Sequence, residues 1–373
     1  MKHTVTKLFL ATAFIAVSMQ ALATYKEAEN ITATDEYASI LEMIRPLAAR
    51  GDAEAQFQFG VMHEKGQGVP VDSKEAVSWY RKSAGQGYAK SQNSLGEMYY
   101  NGNGVSQDYM EAMKWYRKAA AQGNVDALHN LGEMYYNGNG VSQDYTEAMK
   151  WYRKAAAQGN VDAQYNLGQM HYKGNGVAQD YKGAMEWFRK AADRGDAEAQ
   201  YSLGWMRYKG EGMPQDYEEA MLWFHKAAEQ GHPGAQGCVG WLLQKGLGIP
   251  QDYQQAMFWY LRAEAQYSEA QNNLGEMYQN GLGVPQNDKE AVSWYQKAAE
   301  RKNAEAQFRL GLMYEQGKGV PQDLLQAYMW FSLAATAKNK GAIQSIKNAE
   351  TKMTVQQIER SQEMKNEWLG KHK

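Results

Sequence analysis

A tryptophan recurs at an almost constant interval along most of this chain of 373 residues. Six of the seven steps are 36 residues long and the step from Trp259 to Trp294 is 35, while a parallel series of glycines has its short step from Gly240 to Gly275. A fixed interval of this size is typical of stacked repeats, in which each unit buries its apolar surface against its neighbours. The sequence therefore predicts eight units, numbered 1 to 8 here: 52–87, 88–123, 124–159, 160–195, 196–231, 232–266, 267–302 and 303–338.

Each unit begins with the pattern of a short amphipathic helix. In unit 3, Ala127, Leu131 and Met134 recur at helical spacing and predict a first helix over 126–136. The glycines that follow, as in Asn-Gly-Asn-Gly, favour positive φ and end it. Gly132 lies inside this helix, although glycine costs about 1 kcal/mol relative to alanine there. We therefore expect a neighbouring helix to pass close to Gly132.

The second half of each unit has the pattern of a second helix. In unit 3, Asp144 and Glu147 predict an N-cap and a capping box, and Gly159 predicts the C-terminal end. Trp151 and Tyr152 are predicted to belong to the buried stripe between the units. The same pairing recurs at Asp72/Glu75, Asp108/Glu111, Asp216/Glu219 and Asn287/Glu290.

These residues resemble the Sel-1-like repeat family, a 36-residue relative of the tetratricopeptide repeat, over residues 52–338. The resemblance implies an all-α fold: a right-handed α/α superhelical solenoid whose first helices line a concave surface. It implies little about activity, because such repeats serve many roles. The motif stands in unit 4 as Ala163, Leu167, Gly168, Met170, Gly174, Gly176, Val177, Asp180, Tyr181, Ala184, Trp187, Phe188, Ala191, Ala192 and Gly195.

The segments outside the repeats predict a leader and two caps. Residues 1–23 combine a basic start, a short apolar run and Ala-Leu-Ala, which predicts a signal peptide cut after Ala23. The apolar run is about half the ~20 residues that a membrane span needs. We expect an N-terminal capping helix within 24–51 and C-terminal capping helices within 339–373. The protein is thus predicted to be periplasmic, or secreted and surface-exposed.

Charge and motifs argue against several functional classes. Without Lys2 and Lys7, 38 basic residues face 42 acidic ones, so nucleic acid is not an expected partner. No catalytic, metal or cofactor motif is found, and the protein is predicted not to be an enzyme. The single cysteine, Cys238, excludes an internal disulfide and is interpreted as a structural thiol. We expect a monomer that binds other proteins.

The resemblance also suggests where a partner would bind. By analogy with tetratricopeptide repeats, three positions of each first helix face the concave surface, and units 4 to 6 have an excess of aromatic residues there. Clustered aromatic side chains suit protein recognition, although they also pack between neighbouring helices. The partner-binding candidates are Tyr165, Tyr172, Tyr201, Trp205, Tyr208 and Trp241.

Three functions are compatible with these features. The leading hypothesis is an exported interaction scaffold that contacts host cells or host factors, in adhesion, invasion or virulence. The second is a periplasmic adaptor for envelope or secretion assemblies. The third, of another class, is an enzyme of the cysteine-rich branch of the family that is linked to penicillin binding. That branch has paired cysteines in each repeat, which this sequence lacks.

Overall fold

The structure is a computed structural model that describes residues 33–372, so the predicted signal peptide lies outside the described residues. The described residues form nineteen α-helices and no strand. They are α1 Ala33–Ala49, α2 Ala53–Lys65, α3 Ser73–Gly85, α4 Ala89–Asn101, α5 Tyr109–Ala121, α6 Val125–Asn137, α7 Tyr145–Ala157, α8 Val161–Lys173, α9 Tyr181–Ala192, α10 Ala197–Lys209, α11 Tyr217–Glu229, α12 Pro233–Lys245, α13 Tyr253–Ala263, α14 Ser268–Asn280, α15 Asp288–Glu300, α16 Ala304–Gln316, α17 Leu324–Thr336, α18 Lys340–Glu350 and α19 Val355–Lys371.

The chain divides into two compact bodies, at 33–163 and 164–372 within the described residues. In each body a helix packs mainly on the helices before and after it in the sequence. The first and second helices of a unit form a pair, and the second helix then packs on the first helix of the next unit. This order of contacts is that of a helical repeat solenoid, which confirms the predicted all-α fold class.

The helix ends follow the residues that predict them. Helix α6 is one residue longer at each end than 126–136, and the Asn124 side chain accepts a hydrogen bond from the Ala127 amide at 2.8 Å. Gly138 ends the helix at φ 75°, and Gly140 has φ 69°. Both values lie in the left-handed region that favours glycine. Gly159, just beyond the C-cap of α7, has φ 87°.

The predicted capping boxes are only half formed. The Asp144 carboxylate accepts from the Glu147 amide at 2.9 Å, as expected of an N-cap. The Glu147 side chain, however, pairs with Lys150 at 2.8 Å instead of returning to the cap. The prediction of a reciprocal box was therefore wrong here, because a lysine one turn on competes for the carboxylate. A complete box does form at the start of α19, between Thr354 and Gln357.

Close approach of the two helices in a unit explains the helical glycine. A Cβ atom built on Gly132 would lie 2.5 Å from Cδ1 of Tyr152, whose side chain is almost wholly buried. The prediction for Tyr152 is confirmed. Trp151 is only half-buried, with the Lys154 ammonium 4.0 Å from its ring centroid. The tryptophans of units 5 to 8 are buried as predicted, but those of units 1 to 4 are half-buried: Trp79, Trp115, Trp151 and Trp187.

Additional helices pack at both ends of the described chain. In body 1, Ala48 of α1 is buried with Phe59 and Met62 of α2. In body 2, α18 and α19 both pack on α17, and the rings of Trp330 and Trp368 lie 5.9 Å apart. None of the helices in 33–372 has the length and apolar character that crossing a bilayer would require.

Candidate functional site

The six aromatic residues predicted to bind a partner all lie in body 2. Tyr165 and Tyr172 belong to α8, Trp241 belongs to α12, and the other three belong to α10. Every one of the six is half-buried. Each side chain thus packs against its neighbours and still presents part of its surface to solvent.

Four of the six rings form one continuous row. The ring centroids of Tyr201 and Trp205 are 6.2 Å apart, those of Trp205 and Tyr208 are 5.3 Å apart, and those of Tyr208 and Trp241 are 5.6 Å apart. The three contacts are edge-to-face, a favourable geometry for aromatic pairs. Phe224 of α11 is buried beneath the row, 5.7 Å from Trp205. The row therefore has little freedom to rearrange.

The two remaining tyrosines stand beside the row and use their hydroxyl groups within the protein. The Gln169 amide donates to the Tyr165 hydroxyl at 2.9 Å. The Tyr172 hydroxyl donates to the Glu211 carboxylate at 2.9 Å. Burial, and next the hydrogen bond with Glu211, raises the pKa of Tyr172 to about 12. Both phenols are neutral at physiological pH.

Two cavities adjoin the aromatic row, and Trp205 borders both. Cavity A has a volume of about 280 Å³, and cavity B about 300 Å³. The lining of cavity A includes Tyr172, Tyr201, Trp205 and Lys209. The lining of cavity B includes Trp205, Tyr208, Gly237, Cys238, Trp241, Tyr267, Glu269, Asn272 and Glu305. Five of the six predicted residues thus line a cavity, and Tyr165 lines neither.

Gly237 and Tyr267 are among the lining residues of cavity B that sequence reasoning missed. Tyr267 is the N-cap residue of α14, but its side chain makes no capping hydrogen bond. A Cβ atom on Gly237 would lie 2.3 Å from Cε1 of the Tyr267 ring, so only glycine leaves room for this ring. In body 1, Tyr88 likewise stands at an uncapped N-cap, and there Phe57 packs 5.5 Å from its ring.

The sequence contains two features that point to Gly237 and Tyr267. Gly237 has the same position within its unit as Phe57, Tyr165 and Tyr201, and it interrupts a column of larger side chains. Tyr267 directly follows the turn that is one residue short. Each feature is ambiguous by itself, because a missing side chain is compatible with close packing as well as with a cavity.

The one cysteine of the sequence, Cys238, also lines cavity B, and its thiol is free and buried. Burial raises the pKa of the thiol to about 12, and a hydrogen bond with Tyr201 opposes that rise. The thiolate, which is the reactive form, is therefore scarce at neutral pH. This agrees with the interpretation of Cys238 as a structural residue. Within 33–372, no group of His, Cys, Asp and Glu side chains has an arrangement suited to a metal ion.

Comparison with known proteins identifies the repeats. The family model described as "Sel1 repeat" matches residues 53–88, 89–124, 125–160, 161–196, 197–232, 237–267, 268–303 and 304–339. A search of curated proteins found no match.

Two solved structures resemble the chain over most of its length. One is a Sel1 repeat protein from Oxalobacter formigenes, with 34% identity and a TM-score of 0.63, covering 85% of this chain and 94% of that one. The other is c5321, described as a protective antigen present in uropathogenic Escherichia coli strains and displaying an SLR fold. It has 32% identity and a TM-score of 0.56, and the match covers 94% of this chain and 83% of that one. By the eight matched repeats and by these two relatives, the chain belongs to the Sel1 repeat family.

Proposed function

We propose that this protein is an exported interaction scaffold that holds a partner protein against the aromatic residues of units 4 to 6, centred on the row from Tyr201 to Trp241. Sel1 repeat proteins are generally scaffolds for protein–protein interactions and are generally not enzymes. The observation that carries the proposal is the row itself, four half-buried rings from Tyr201 to Trp241 that border two cavities.

The geometry of the row suits recognition of a protein surface. Aromatic rings provide a large contact area, and rings already fixed by edge-to-face packing lose little conformational entropy on binding. Trp205 borders both cavities, and each has room for a side chain of the partner. A partner segment that lies along the row could therefore place a side chain in each cavity.

We further propose that the scaffold works at the bacterial surface, towards host cells or host factors. The leader pattern in residues 1–23 supports export, and the described relative from uropathogenic Escherichia coli is a protective antigen. Proteolysis of intact cells tests the location. If the protein is degraded only after the outer membrane is permeabilised, the periplasmic adaptor becomes the better hypothesis.

Trp205 and Trp241 lie outside the series of tryptophans that recurs once in each unit. Their replacement tests the binding surface. We expect Trp205→Ala together with Trp241→Ala to abolish most photo-crosslinking from a probe at Lys209, which lines cavity A. Crosslinked partners would be identified by mass spectrometry from intact cells, with and without host cells. Trp151→Ala is the matched control, because Trp151 is also half-buried but lies in body 1.

Circular dichroism separates lost binding from lost structure. Both variants should keep nearly all of the helical signal, because the three rings lie at the surface of their helices. Unchanged crosslinking in the double variant would contradict the proposed surface. A large loss of helix in the double variant alone would show that the two rings are structural.

A further inference from the structure

We infer that cavity B is a receptor for an arginine side chain of the partner polypeptide. The inference rests on the proposed function, since it names the chemistry of one contact within the same surface. Its basis is an indole ring with no cation over it among the described residues, an unpaired carboxylate and the absence of any basic residue from the lining of the cavity.

The first observation concerns the tryptophan faces. Eight of the eleven tryptophans have a Lys or Arg group over the ring, 3.7 to 5.6 Å from its centroid. Two others, Trp330 and Trp368, pack against each other. Trp241 alone is half-buried, lines a cavity and has no cation over its ring among the described residues. Because the face of an indole ring attracts cations, Trp241 is the cavity-lining indole at which a cation from outside would add a contact that the protein itself does not supply.

The second observation concerns charge. Glu269 and Glu305 line cavity B, and its lining contains no Lys, Arg or His. Glu305 already pairs with Arg309 at 3.0 Å. Glu269 makes no ion pair among the described residues, and its carboxylate accepts a hydrogen bond from the Ser268 hydroxyl at 3.3 Å. Glu269 therefore supplies the unpaired negative charge at the cavity.

The helix N-termini near cavity B do not reverse the negative charge that Glu269 supplies. Glu269 lies in the first turn of α14 and Glu305 in the first turn of α16. A helix N-terminus carries about half a positive charge, which is less than the full charge of the carboxylate in its first turn. A cation is thus favoured over an anion beside Glu269.

The remaining lining favours a guanidinium over an ammonium group. A guanidinium is planar, stacks on aromatic rings and is less strongly hydrated, so it enters an aromatic-walled cavity at lower cost. The buried Asn272 amide offers an acceptor, because its Oδ1 atom has no hydrogen-bond partner among the described residues. A volume of about 300 Å³ suits a single side chain and lies at the lower limit of ligand cavities.

Short peptides provide a direct test on the mature full-length protein. Heptapeptides with a central arginine, lysine, citrulline or alanine between glycine and serine residues would be titrated while the tryptophan indole N–H signals are followed by NMR. We expect the arginine peptide to shift the Trp241 signal and to bind roughly tenfold more tightly than the citrulline peptide, because citrulline is its neutral isostere. Trp241→Phe assigns the signal.

Two matched variants test the role of the carboxylate. Glu269→Gln should weaken binding of the arginine peptide roughly twofold to fivefold and leave the citrulline peptide unaffected. Asp162→Asn is the control, because Asp162 is the equivalent first-turn acid of unit 4 and does not line the cavity. Thermal unfolding confirms that both variants remain folded.

The outcomes separate this inference from the proposed function. Equal binding of the arginine and citrulline peptides, or equal effects of the two variants, would overturn the arginine receptor. Binding of free L-arginine as tight as that of the peptide would overturn a polypeptide ligand. The crosslinking experiment with Trp205→Ala and Trp241→Ala uses no arginine peptide. Its result therefore does not depend on the outcome of the peptide titrations.

Discussion

At the scale of single residues, the contact between Gly132 and Tyr152 requires a glycine where the two helices of the unit approach each other. Carbon atoms pack best at about 3.5–4.0 Å, and the 2.5 Å of a built Cβ atom cannot be relieved easily, since the Tyr152 ring is almost wholly buried. We expect Gly132→Ala to lower the free energy of unfolding by up to about 2 kcal/mol. This is the cost of overpacking, about 1–3 kcal/mol, reduced by the higher helix propensity of alanine. Urea unfolding monitored by circular dichroism measures it.

Gly85 provides the matched control for this prediction. It also lies in a helix, at the end of α3, but a Cβ atom there meets nothing within 4 Å. Units 2 and 3 have Ala121 and Ala157 at the same position. Gly85→Ala should therefore leave stability unchanged or slightly raised. If the two variants were equally destabilised, the cost would come from the backbone and not from the tyrosine.

At the scale of the helix, the half-formed capping boxes predict unequal roles for the two capping residues. The Asp108 carboxylate accepts from the amides of Met110 and Glu111 at 3.0 Å, whereas the Glu111 side chain pairs with the exposed Lys114 at 2.8 Å. We expect Asp108→Ala to lower the free energy of unfolding by about 1 kcal/mol, because α5 loses its N-cap. Glu111→Ala should leave it nearly unchanged, because only the exposed pair with Lys114 is lost. Chemical denaturation of both variants in parallel measures the difference.

A second pair of variants checks this assignment. In α19 the box is complete, with Thr354 and Gln357 bonded in both directions. Gln357→Ala should therefore have a measurable cost where Glu111→Ala has almost none. Equal effects at the two helices would mean that the side chain of Glu111 does return to its cap in solution.

At the scale of the whole molecule, the sequence predicts those structural features that depend only on residues within one unit. Gly138 ends α6 and Asp144 caps α7 through contacts within a few residues, so both effects follow from local pattern. The partial exposure of Trp151 does not follow from local pattern, because Trp151 and Tyr152 are adjacent and only packing decides which ring turns inward. Cavity B is even harder to predict from the sequence, since it depends on Gly237 of unit 6 and Tyr267 of unit 7 together. Neither residue indicates a cavity without the other.

Repeats that contact mainly their neighbours should tolerate loss of a unit, and units 2 and 3 allow this to be tested cleanly. Residues 96–127 and 132–163 differ only at Met110 and Thr146, so deletion of 96–131 joins Leu95 to Gly132 in register. We expect the shortened protein to fold, with unchanged mean residue ellipticity and a somewhat lower melting temperature, because one interface between units is lost.

The same deletion also tests whether ligand binding in body 2 depends on the deleted unit of body 1. The aromatic row and cavity B lie in body 2, outside the deleted segment, so binding of the arginine peptide should be retained. Deletion of half a unit, residues 96–113, is the control, since it removes the C-terminal half of α4 together with the start of α5 and places the helices out of register. That variant should lose helix and aggregate on size-exclusion chromatography. If the in-register deletion behaved in the same way, the array would fold as one cooperative domain and not as a series of neighbouring units.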